Sequence, residues 1–80
     1  MPEPPRVVWE VKLNDGYIRC TLAAIPGSFS IVVEDTGEEL RRENVYGTEA
    51  GAQAWANHLK AVFAAYIEQR KATVPPRIDV

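Results

Sequence analysis

Eighty residues are too few for more than one domain, and they set the core near the lower limit of self-sufficiency. A composition 46% apolar and 25% charged is that of a folded globular chain and excludes general disorder. A net charge of -2 gives nucleic acid or an anionic membrane no electrostatic attraction, and a single cysteine, Cys20, rules out an internal disulfide.

Met1-Pro2-Glu3-Pro4-Pro5 opens the chain as an extended, proline-rich arm over residues 1–6. Val7 to Leu13 then alternates, with Val7, Trp9, Val11 and Leu13 on a core face and Val8, Glu10 and Lys12 opposite. Asn14-Asp15-Gly16 is read as a hairpin turn, because aspartate and glycine tolerate positive φ. Tyr17 to Ala24 returns as a second strand, with Ile18, Cys20, Leu22 and Ala24 inward and Tyr17, Arg19, Thr21 and Ala23 outward. Ile25-Pro26-Gly27-Ser28 makes a loop, and Phe29 to Glu34 a third strand with Phe29, Ile31 and Val33 inward. After a turn at Asp35-Thr36-Gly37, Glu38 to Val45 reads as a short fourth strand, confined to a sheet edge by its charge.

Thr48 is a suitable N-cap for a helix, with Glu49 in its first turn; Gly51 occupies the place where a capping-box glutamate would stand. The pattern predicts one long helix from Glu49 to Ala72, ending before Val74-Pro75-Pro76, with residues 73–80 as a tail. At 100° per residue, Ala52, Trp55, Ala56, Leu59, Val62, Phe63, Tyr66 and Ile67 share one apolar arc. The expected fold is therefore α+β, a single domain over residues 7–72. A three- to four-stranded antiparallel meander, β-β-β(-β)-α, packs on one long C-terminal helix.

Chemistry-bearing residues are sparse. His58 is the sole histidine and has no cysteine or carboxylate one helical turn away, so no metal set of three or four ligands can be drawn around it. Ser28, Ser30 and Thr48 lack any nucleophile context, and Gly47-x-x-x-Gly51 is not followed by the lysine or serine of a phosphate loop. Glu34, Asp35, Glu38 and Glu39 gather at a turn, where solvation is expected to keep their pKa values ordinary. The reading is a non-enzyme with no metal and no cofactor. Trp9, Phe29, Trp55, Phe63 and Tyr66 are expected to fill the space in which a ligand carrier would need a pocket. No stretch reads as a secretory leader or a membrane span, so a cytoplasmic location is expected.

The β-β-β-α order and the run Tyr46-Gly47-Thr48-Glu49-Ala50 loosely resemble the arm-binding domains of phage and transposon integrases. That resemblance implies DNA reading by the open sheet face. The face, however, sets Lys12 and Arg19 against Glu10 and Glu34, a charge balance of zero that suits phosphate poorly. A protein partner, self or heterologous, is the better expectation. Ala54, His58, Ala61 and Ala65 lie in a small-residue strip that would admit a second helix. Val8, Tyr17, Thr21, Ala23 and Val32, with Arg19 at the rim, give the open sheet face a mixed apolar character. Residues 34–49 carry six acids against two arginines, so Glu38 and Glu39 are expected to meet a basic surface. The expected role is a homodimer, or an adaptor or inhibitor docking on a larger protein. Size and charge suggest a phage or mobile-element accessory protein.

Overall fold

The computed structural model describes residues 4–72, so the tail at 73–80 and the first three residues of the arm lie outside the described residues. Strands β1 (Arg6–Leu13), β2 (Gly16–Ile25), β3 (Ser28–Asp35) and β4 (Glu38–Val45) form one antiparallel sheet in the order β1-β2-β3-β4. Helices α1 (Glu49–Val62) and α2 (Ala64–Ala72) follow. α1 lies across β1, β2 and β3 on one face, and no helix among the described residues covers the other, open face.

Strand alternation puts Ile18, Cys20 and Leu22 of β2 under α1, flanked by Trp9 on β1 and by Ile31 and Val33 on β3. Ala52, Ala56, Leu59 and Ile67 close this core from the helices, with Val8, Phe29, Phe63 and Tyr66 packed at its margin. The Trp9 indole Nε1 donates to the Ala56 carbonyl at 2.7 Å, fixing β1 to the middle of α1.

Two β-bulges alter the expected faces. β1 pairs Val7 with Thr21 and Trp9 with Cys20, so Val8 is an extra residue that shifts the alternation. Val7 therefore turns to the open face, 52% exposed, while Val8 packs against the core, the reverse of the assignment by simple alternation. Ala24, expected inward, is exposed near the end of β2, beyond the helix cover. A second irregularity between Val33 and Glu34 admits Leu40 of β4 as the extra residue.

The turns also differ from expectation. Positive φ is absent at Asp15 and Gly16; in the hairpin turns it occurs at Gly27 (82°) and at Thr36 and Gly37 (50° and 90°), the last two meeting the requirement of a type I′ connection between β3 and β4. Gly16 is needed for a close approach instead. A Cβ there would collide with the Thr36 hydroxyl, which accepts from the Tyr17 N–H at 3.1 Å.

Thr48 caps α1 as expected, its hydroxyl accepting from the Gly51 N–H at 3.1 Å. The single long helix is not found. Phe63, at φ -92° and ψ 8°, separates α1 from α2. Hydrogen bonds span the break, from Phe63 N–H to Leu59 O (2.9 Å) and from Ile67 N–H to Phe63 O (2.8 Å), so the interruption is a single residue wide. No proline or glycine stands there to force it. Around this interruption the Phe63 ring lies at the core margin and Tyr66 and Arg70 reach the end of β3.

Candidate functional site

Asp35 is the most heavily bonded carboxylate among the described residues. It closes β3 on the helix side, opposite Ile18, at 9% exposure. The Arg70 guanidinium grips it with Nε at 2.6 Å and Nη2 at 3.1 Å. Tyr66 Oη donates at 2.6 Å and Thr36 Oγ1 at 2.9 Å. The Arg70 hydrogen bonds, more than those of Tyr66 and Thr36, hold its pKa down at about 2, against the raising effect of burial. The same contact raises the Tyr66 hydroxyl. The expectation of an ordinary, solvated acid at this turn is thus wrong for Asp35. Its lone pairs are occupied by structural donors, and it has no free side to offer a substrate.

On the open face, Arg19 is stacked 4.1 Å above the Tyr17 ring centroid and reaches Glu10 at 2.7 Å and Glu34 at 3.7 Å. Its hydrogen bond lowers the Glu10 pKa, and burial opposes that shift. Val32 stands on the same face beside Thr21 and Arg42. Tyr17, Arg19 and Val32 are therefore brought together, but inside a charge-compensated ladder. Glu38 and Glu39 lie apart from them at the β3–β4 turn, both exposed, with Glu39 accepting from Arg42 at 2.8 Å.

The helix residues divide between two flanks. Ala54, His58, Ala61 and Ala65 are all exposed. Trp55 and Val62, expected in the core, stand in solvent at 37% and 48% exposure. The reason is angular: the buried line runs through Ala52, Ala56, Leu59 and Ile67, and Trp55 and Val62 fall at its border, on the β4 side. There the Trp55 indole Nε1 donates to Glu43 Oε2 at 2.9 Å, and its ring packs on His58 with centroids 5.2 Å apart. His58 and Ala65 belong to the small-residue strip expected at the surface, whereas Trp55 and Val62 were hidden from sequence reasoning because the apolar arc looked wide enough to bury them.

The other flank overlooks β1. A groove of about 620 Å³ runs between this edge strand and the helices, lined by Glu10, Val11, Lys60, Ala61, Ala64 and Glu68 among others. Two acids, Glu10 and Glu68, and two lysines, Lys60 and Lys71, line it.

No family model, no curated protein and no solved structure matches the chain. Among the described residues, no group of three or more His, Cys, Asp or Glu side chains is placed to hold a metal ion. No described helix is long and apolar enough to cross a membrane. Cys20 is buried in the core, where desolvation pushes its thiol up to about 11 and keeps it unreactive.

Proposed function

We propose that the protein is a non-enzymatic interaction module whose contact surface for a protein partner is the α1 flank bearing Trp55, His58 and Val62. The observation that carries this reading is the exposure of a tryptophan and a valine two turns apart on one flank of a helix, outside the buried core. Tryptophan is the residue most enriched among binding hot spots, and apolar side chains grouped on a rigid helix are what a partner surface can desolvate. Glu43 and Arg41, 3.2 Å apart on the neighbouring strand, supply the polar rim of such a contact.

Catalysis is disfavoured by the electrostatics. Enzymes that use acid–base chemistry set titratable groups with displaced pKa values in a cleft. Here the strongly displaced carboxylate, Asp35, is consumed by Arg70, Tyr66 and Thr36. Nucleic-acid binding is disfavoured because Arg19 is already shared between two carboxylates.

The reading is tested by capture of partners from the native host with the tagged chain and with its Trp55→Ala variant. A partner held by wild type should be lost by the variant, since hot-spot truncation costs about 2 kcal/mol or more, roughly 30-fold in affinity. A partner retained equally by both removes this flank from the account. A gel shift with DNA at low salt would overturn the reading.

A further inference from the structure

We infer that β1 is a self-association edge: two copies pair their β1 strands antiparallel about a two-fold axis at Val11, joining two four-stranded sheets into one. This surface lies on the opposite side of α1 from Trp55, so it stands or falls independently of the proposed partner flank.

Backbone direction fixes which groups are free. The Tyr17 N–H and C=O both engage Thr36, on the β3 side, at 3.1 and 2.8 Å. Alternation then aims the backbone of Ile18 at its β1 partner, Val11, which in turn faces β2. Glu10 and Lys12 consequently point their N–H and C=O groups outward from the free edge. Among the described residues no strand pairs with them, and such donors and acceptors are of the kind that accept another strand.

The register follows from two separate features. The regular stretch of β1, between the bulge at Val8 and the turn, is Trp9–Leu13, and its midpoint is Val11. A two-fold at Val11 pairs every residue of that stretch with the second copy. It also sets Glu10 of each copy opposite Lys12 of the other, on the same face, as hydrogen-bonded pairs that exchange both backbone bonds. Lys12 is 82% exposed, with its Nζ 3.5 Å from Glu10 of its own chain, and in the pair it exchanges that exposed contact for Glu10 of the second copy. The groove beside β1 carries Glu10 and Glu68 against Lys60 and Lys71, so two grooves meet without net like-charge repulsion.

The other edge lacks this self-complementarity. The regular stretch of β4 is Arg41–Val45, whose midpoint is Glu43. A two-fold there sets glutamate against glutamate.

The test combines sedimentation equilibrium with disulfide trapping. Wild type should sediment as a dimer at micromolar concentration. Lys12→Glu, which places acids opposite one another twice, should raise the dimer dissociation constant by about 10-fold or more while leaving the circular dichroism unchanged. Val11→Cys should oxidise to a covalent dimer, because residue 11 faces itself across the axis at a non-hydrogen-bonded site with Cα atoms about 4.5 Å apart. Lys12→Cys should not, and the buried Cys20 adds no background. A monomeric wild type overturns the inference. So does a dimer that is indifferent to Lys12→Glu and that Val11→Cys fails to trap, since its contact would then lie elsewhere.

Discussion

Asp35 receives hydrogen bonds from one turn and one helix, Thr36 beside it and Tyr66 and Arg70 far along the chain. Its pKa falls from 3.8 to about 2 on folding, so the folded state binds its proton less readily than the unfolded chain does. The stabilisation is therefore complete above the unfolded value and is lost as the pH drops through the interval between the two. Urea midpoints should decline across that acid interval in wild type, and Asp35→Asn should abolish this part of the decline. At neutral pH the same substitution should cost about 1–3 kcal/mol, because the charge is lost and an NH2 donor replaces one of the two oxygens that accept from Arg70, Tyr66 and Thr36. An unchanged acid limb in Asp35→Asn would assign the pH dependence to other carboxylates. None of this was legible locally. Asp35 and Arg70 are 35 residues apart, and a turn aspartate carries no mark of a distant arginine. Gly16 shows a subtler mismatch: its place at a turn was readable, its reason was not, since the Thr36 hydroxyl that crowds it comes from the β3–β4 turn.

At the level of elements, hydrophobic periodicity told strands from helix throughout, because both signals are local. It failed where an element departs from its ideal repeat. The Val8 bulge moves one residue of β1 across the sheet, and the break at Phe63 divides the helix in two. Periodicity also overstated the buried arc of α1, since it gives a residue's angle but not the width of the surface beneath. That difference is measurable. Leu59→Ala, at 0% exposure, should cost about 2–5 kcal/mol by urea denaturation. Val62→Ala, at 48% exposure, should cost well under about 1 kcal/mol, although a helical wheel draws both residues on one stripe. Comparable losses would return Val62 to the core and remove it from the partner flank.

For the whole molecule, the meander was readable because each strand is followed directly by its neighbour, and short turns leave few other ways to pair. The surfaces were only half readable. Tyr17, Arg19 and Val32 share the open face as expected, and Ala54, His58 and Ala65 do share an exposed side of the helices. The edge of β1 and its groove were missed, because a strand's own pattern does not reveal whether its outer backbone groups find a neighbour. A small core covered on one face should leave stability modest and sensitive to association. The thermal midpoint of wild type should thus climb with protein concentration, and that of Lys12→Glu should stay flat. A midpoint independent of concentration in both would speak against pairing through β1.

The two tryptophans sit in opposite surroundings, Trp9 at 8% exposure bonded to a carbonyl and Trp55 at 37% beside an imidazole. Their emission accordingly divides into a shielded part and a part open to iodide quenching. With Trp55 replaced by phenylalanine, the remaining fluorophore reports on the interior alone; with Trp9 replaced, the signal belongs to the flank that a bound protein would cover.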